Sequence, residues 1–169
     1  MRQMIRDLLT YSRVGTEGKK LVPTDCNRVL EKVLANLHSS STQNHANFIS
    51  ADLPTVMGNE TQLLQLFQNL IGNALKFSRP TFSPTITISV KPEGEQWCFS
   101  IQDNGIGIKP ENFNRIFGIF QRLETETEYP GTGIGLASCK KIVQRHGGRI
   151  WVESELGVGT VFYFTLGKV

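Results

Sequence analysis

Five polar side chains between Thr61 and Phe77 fall at regular intervals: Gln62, Gln65, Asn69, Asn73 and Lys76, at steps of three, four, four and three. On an α-helix that spacing makes a single stripe. A solvated face is one reading of it. Solvated faces are normally built from strong helix formers, however, and Asn is a poor one because its amide competes for backbone groups. Two Asn one turn apart, with Lys three residues further on, put two amide oxygens and an ammonium in line. That set suits an oxygen-seeking Mg²⁺ and the phosphates it holds.

A second group is Asp103-Asn104-Gly105-Ile106-Gly107-Ile108, directly after the apolar run Trp97-Cys98-Phe99-Ser100-Ile101. Asn-Gly is a hairpin signal, yet the chain runs on from Ile108 into Lys109-Pro110 and leaves no room for a returning strand. An acid at a strand end, followed by two spaced glycines, suits a buried hydrogen-bond acceptor under a close backbone approach. The exocyclic amine of adenine is a fitting donor. A third group, Gly131-Thr132-Gly133-Ile134-Gly135-Leu136, opens a helical pattern. Its glycines are not spaced as GxGxxG and no apolar strand precedes it, which disfavours a dinucleotide fold. No GxxxxGK[ST] occurs, which removes the Walker phosphate loop. What remains is a hinge, or a glycine loop feeding a helix N-terminus, where free N–H groups favour an anion. The polar stretch Gln121–Pro130 before it reads as a mobile lid.

These groups need elements to carry them. Residues 1–14 carry Met4, Ile5, Leu8, Leu9 and Tyr11 at helical spacing, and the glycines and charges of 15–20 follow as a linker, so this first helix reads as an appendage outside the core. Thr24 or Asp25 caps a second helix with Val29, Leu30, Val33, Leu34 and Leu37 on one face. Residues 21–32 read otherwise as core and solvated surface. A short strand is expected at 47–53, and the long helix at 61–77 carries Leu63, Leu64, Leu66, Phe67, Leu70, Ile71, Ala74 and Leu75 as its apolar stripe. Strands at 85–91 and 96–103 form a hairpin across Pro92-Glu93-Gly94-Glu95. A short helix near 111–117, a helix at 134–146 and two strands at 149–154 and 160–166 complete the chain. The expected fold is α+β: a two-layer α/β sandwich with a mixed, largely antiparallel sheet and helices on one face.

Composition bounds the alternatives. The chain has 169 residues, 39% hydrophobic and 20% charged, with a net charge of +3, enough apolar content for a core and too little charge for disorder. No basic stripe interleaved with aromatics speaks for nucleic acid. No apolar run approaches the ~18 residues of a membrane span, and the first residues do not form a signal peptide. Cys26, Cys98 and Cys139 lack a CxxC spacing, so neither a disulfide framework nor a zinc site is suggested, and a reduced cytoplasmic setting fits. His38 and His45 fall in a Ser/Asn-rich loop, and His146 at a helix end, where a cation suits the dipole. No Ser/His/Asp or paired-carboxylate arrangement is present.

The order of the motifs is more specific than any one of them. Asn69-Leu70-Ile71-Gly72-Asn73-Ala74-Leu75-Lys76-Phe77 resembles the N box of sensor histidine kinases. Asp103–Ile108 resembles their first glycine box, Ile116-Phe117-Gly118-Ile119-Phe120 their F box, Gly131–Leu136 their second glycine box, and Gly157-Val158-Gly159-Thr160-Val161-Phe162 their final signature. The resemblance spans residues 21–169, and residues 128–153 are similar to phytochrome-type and PAS-linked members. It implies a Bergerat-type ATP site. In that site Asn73 holds Mg²⁺ with Asn69 assisting, and Lys76 contacts phosphate. Asp103 binds the adenine amine beside Gly105, Gly107 and Ile108. Gly131, Thr132, Gly133, Gly135 and Leu136 wrap the triphosphate, with Phe120 and Arg122 alongside, and Thr160 supports the adenine end.

In the gyrase and mismatch-repair branch the N box begins with a Glu that activates water. Asn69 stands there in this sequence, and a neutral amide is no general base. The resemblance therefore implies phosphoryl transfer to a histidine, with relay to an Asp of a response regulator. The family's acceptor run, His-Glu-x-x-x-Pro, has no counterpart here. Residues 1–14 resemble only the tail of the dimerisation hairpin, with 1–20 as its end plus linker and 21–169 as the catalytic domain. Its partners are then its own dimerisation domain, in a homodimer, and a receiver domain, with no nucleic acid and no membrane contact from this stretch. A fragment of this kind is expected not to autophosphorylate alone. A hydrolysing ATPase module and a nucleotide-free regulatory module of the same fold are the alternatives.

Overall fold

The computed structural model describes residues 2–16, 20–40, 45–121 and 131–169. Among the described residues seven strands and four α-helices follow in chain order: α1 (Arg2–Val14), β1 (Val22–Asp25), α2 (Cys26–Ser40), β2 (Asn47–Ser50), β3 (Thr55–Gly58), α3 (Glu60–Lys76), β4 (Thr85–Glu93), β5 (Gln96–Asp103), α4 (Gly135–Arg145), β6 (Ile150–Glu155) and β7 (Gly159–Gly167). The main sheet has five strands in the order β2-β4-β5-β7-β6. β2 runs parallel to β4 and every other pair is antiparallel. The mixed two-layer sandwich expected from the sequence is therefore the fold observed.

Alternation on the central strands sends Ile86, Ile88, Phe99, Ile101, Phe162, Phe164 and Leu166 to one face, all buried. α3 lies on that face. Its Phe67 ring meets Phe99 and Phe164 edge-on at 6.0 and 5.5 Å, while Phe99 and Phe164 stack at 5.1 Å. Rings so arranged add to burial through their quadrupoles. α3 begins where the Asn59 side chain accepts from Gln62 N at 3.1 Å, a local cap. α2 and α4 flank it.

Several expectations change. β1 and β3 pair as a separate two-stranded antiparallel sheet; each is four residues long, too short for a period-2 signal. The short helix near 111–117 reduces to one 3-10 turn, Pro110–Asn112. His38 lies in α2 rather than in a loop. His146 is no dipole-pairing cation: it is buried, Nδ1 donates to Ile142 O at 2.7 Å, Nε2 accepts from Asn59 N at 3.1 Å, and burial holds its pKa below the usual imidazole range. The first helix is not detached either. Val14 joins the core, its carbonyl accepts from Gln62 Nε2, and Lys141 Nζ on α4 donates to Tyr11 O at 2.8 Å. Met4, Ile5, Leu8 and Leu9 remain exposed.

Candidate nucleotide site

β5 ends at Asp103 beside Thr160 of β7, so the carboxyl sits at the mouth of the sheet, under α3. Its Oδ1 accepts from Gly105 N at 2.8 Å and Thr160 N at 3.2 Å. Among the described residues nothing bonds Oδ2. Burial pushes the Asp103 pKa up to about 6, and the two backbone N–H groups hold it from rising further. It is a desolvated carboxylate with acceptor capacity to spare.

The glycines after it are required by space. A Cβ at Gly105 would meet Phe77 O and stand 2.9 Å from Asp103 Oδ1, and at Gly107, with φ +78°, it would run into the Glu155 carbonyl. The loop they form is stitched on three sides. Ile106 N donates to Phe77 O, Gly157 N to Ile106 O, and Ile108 N to Ser154 Oγ. Arg79 adds bonds to Asn104 O and Gly157 O, both at 2.8 Å.

A cleft of about 480 Å³, its open mouth included, lies against this loop. Asp103 and Thr160 form its polar edge; Ile106, Ile108, Ile116, Leu136 and Phe162 are the apolar walls, with Phe77, Gly107 and Asn73 closing it. A second compartment of about 630 Å³ shares Asn73, Ile116 and Leu136 with the first, so the two are continuous. Its lining includes Lys76, Gly131, Thr132, Gly133 and Gly135, and also Gln3 and Asp7 of α1. The glycine run passes so close that a Cβ at Gly131 would collide with the Lys76 ammonium. Asp7 Oδ2 accepts from Thr132 Oγ1 at 2.6 Å, while Oδ1 accepts from Gln3 Nε2 at 2.8 Å.

The residues singled out from the sequence divide accordingly. Asn73, Lys76, Asp103, Gly107, Ile108, Gly131, Thr132, Gly133, Gly135, Leu136 and Thr160 line the double cleft, and Gly105 serves it through the N–H on Asp103. Asn69 does not line it. Its Nδ2 donates to Gly135 O at 3.1 Å and its Oδ1 accepts from Gln65 Nε2 at 2.8 Å, so it clamps the start of α4 to α3. Phe120 is 51% exposed, with φ 59°, and ties back to the glycine run by donating from its N to Gly133 O. From the same motif it is Ile116 that reaches the cleft. Arg122 and nearly all of the expected lid, 122–130, lie outside the described residues. Sequence reasoning passed over Ile106, Ile116, Phe77 and Phe162 as walls, although they sit within or beside the motifs. It had no signal for Gln3 and Asp7.

An apolar slot with an acceptor edge takes a flat base bearing an exocyclic donor. The adjoining mouth, with an ammonium and backbone N–H groups at a helix start, takes phosphates. Asn73, common to both compartments, offers the amide oxygen that a hard divalent cation takes.

The chain is similar to known proteins in sequence and in fold. The family described as histidine kinase-, DNA gyrase B- and HSP90-like ATPase matches residues 58–169. Cyanobacterial phytochrome A of Nostoc sp. is 51% identical over 166 residues, covering 98% of this chain and 22% of that protein. Phytochrome-like protein Cph1 of Synechocystis sp. is 48% identical, with the same two coverages, 98% and 22%. The chain thus spans about a fifth of the length of these curated relatives. Among solved structures, full-length ShkA in complex with AMPPNP superposes with a TM-score of 0.81 at 27% identity, over 99% of this chain and 36% of that one. The catalytic domain of histidine kinase ThkA gives 0.74 at 25% identity, over 89% of this chain and 97% of that one.

Proposed function

The chain belongs to the histidine kinase-, DNA gyrase B- and HSP90-like ATPase family, and from that premise we propose that it is the ATP-binding catalytic domain of a two-component sensor histidine kinase of the phytochrome-like kind. The observation that carries this reading is the shared cleft: Asp103 at one end, Lys76 at the other, and Asn73 between them. With ATP as substrate, Asp103 accepts the adenine amine while Ile106, Ile108 and Ile116 flank the ring. Gly131, Gly133 and Gly135 present backbone N–H groups along the triphosphate, and Lys76 offsets its charge. Mg²⁺ held through Asn73 would neutralise phosphate oxygens and set the γ-phosphoryl in line for transfer.

The chain's own groups favour transfer over hydrolysis. Asn69 is a neutral amide bonded on both its polar atoms. Among the described residues two carboxylates line the cleft: Asp103 stands at the base end, and both oxygens of Asp7 already accept hydrogen bonds. The γ-phosphoryl therefore waits for an outside nucleophile, a histidine on the dimerisation segment of the homodimer, and passes on to an Asp of a receiver domain. Residues 1–20 are then the end of that segment with its linker, and 21–169 the catalytic unit. A cytoplasmic setting fits three buried free thiols, two of which burial pushes up to about 12, beyond reactive range. Among the described residues no helix is long and apolar enough to cross a membrane.

Mixing this chain with its dimerisation segment and labelled ATP tests the proposal. Acid-labile phosphohistidine on the added segment is the expected product. Steady phosphate release with no protein label would replace the kinase reading with the ATPase one.

A further inference from the structure

Ser154, on β6, has no part in the motifs, yet three polar atoms of the base end converge on its hydroxyl. Its Oγ is 2.7 Å from Ile108 N, 2.7 Å from Gly159 O and 2.9 Å from Thr160 Oγ1. Hydrogen counting resolves the network. Ile108 N can only donate and Gly159 O can only accept, so the single serine hydrogen goes to Gly159 O. The remaining contact must then be Thr160 donating to Ser154. Thr160 is 5% exposed and lines the base end of the cleft. With its one hydrogen spent on Ser154, its hydroxyl turns only lone pairs to the cleft.

Beside it stands Asp103, joined to the same residue through Thr160 N and carrying its own acceptor oxygens. The two side chains on the polar edge of the cleft are thus both acceptors. Such an edge pairs with a base presenting an amine. It sets oxygen against oxygen when the base presents a carbonyl, and a buried acceptor without a donor is costly.

We propose that Ser154 is a positioning residue for base selection: by accepting the hydrogen bond of the Thr160 hydroxyl it fixes the pocket as an acceptor edge, admitting 6-aminopurine nucleotides and rejecting 6-oxopurine ones. This rests on the nucleotide reading given above. Without Ser154 the Thr160 hydroxyl is free to rotate and donate, so the cleft accommodates either base.

The test is the ratio of dissociation constants for ITP and ATP, measured by titration calorimetry with Mg²⁺ on the full chain. The wild type should favour ATP. Ser154→Ala should shrink that preference by about 3- to 10-fold, the equivalent of one hydrogen bond, chiefly by tightening ITP, and Ser154→Thr, which keeps a hydroxyl, should restore it. A merely structural serine would weaken both nucleotides equally; an unchanged ratio in Ser154→Ala overturns the inference. Should that variant not fold, Thr160→Val decides: removing the oriented hydroxyl must also lower the ratio, and an unaltered ratio again overturns the proposal. Equal wild-type affinity for ATP and ITP does so as well. Failure of the wild type to bind either nucleotide would instead overturn the nucleotide reading itself.

Discussion

The two ends of the cleft are built differently. At the base end the polar contacts gather at the end of the sheet and in the loops that leave it: Asp103 to Gly105 and Thr160, Ile108 to Ser154, Ser154 to Gly159, Arg79 to Asn104 and Gly157, with Ile106 tied to Phe77 at the end of α3. At the phosphate end the lining comes from separate elements. Lys76 closes α3, the glycine run opens α4, and Asp7 reaches in from α1 to hold Thr132. One end is preformed before a ligand arrives; the other depends on how three helices sit together. On the proposed reading, base recognition is intrinsic to the fold, whereas phosphate recognition is open to change through α1.

The largest expected effect breaks the preformed end. Asp103→Asn keeps an oxygen for the two backbone N–H groups but turns an NH₂ toward the adenine amine. Affinity for a non-hydrolysable ATP analogue, read by calorimetry, should fall by about 1.5–3 kcal/mol. The same variant should melt higher in the absence of nucleotide at neutral pH. The folded pKa, about 6, lies above the ordinary aspartate value of 3.8, so this group's stabilising contribution is complete below the unfolded pKa and is lost as pH rises through about 6. A neutral amide escapes that loss, and a gain of about 1 kcal/mol would raise Tm by about 2–4 °C.

At the other end, Lys76→Gln removes an ammonium facing phosphates. Affinity should drop about tenfold, and the loss should shrink as salt rises. A loss independent of ionic strength would take Lys76 away from the phosphates. The pH dependence separates the two ends again. Between pH 7.5 and 5.5 protonation of Asp103 should weaken wild-type binding about fourfold beyond any change in Asp103→Asn, because only the carboxylate titrates through about 6. Parallel curves for the two proteins would mean that the carboxylate does not face the base.

The smallest effect has the opposite sign. Asp7→Ala releases Thr132 and removes a negative charge from the phosphate compartment, so nucleotide should bind about two- to threefold tighter, in line with a half-buried, solvent-screened charge interaction of under 1 kcal/mol. Weaker binding in this variant would make Asp7 part of the site and erase the contrast between the ends.

How much of this could be read from the chain alone depends on how far each interaction reaches. The polar stripe on α3 located Asn73 and Lys76, and the alternation of β4 and β5 located Asp103, because both patterns are local and periodic. The stripe could not tell Asn69 from Asn73. Both share a face; Gln65 and the carbonyl of Gly135, 66 residues away, occupy Asn69 and leave Asn73 to the cleft. β1 and β3 escaped notice because four residues carry too little alternation to outweigh the loop signals around them.

The amino-acid order by itself determined the longer elements, their sequence along the chain and the glycine positions at which backbone must come close, since helix and strand periodicity and the lack of a Cβ act at short range. Tertiary structure decided the rest: that Ser154 meets Thr160 at the edge of the cleft, that Ile116 rather than Phe120 walls the apolar slot, that buried His146 accepts from Asn59 N, and that Asp7 meets Thr132 across 125 residues. Each of these is set by which groups are left facing one another after the helices pack on the sheet, and no local pattern encodes that choice.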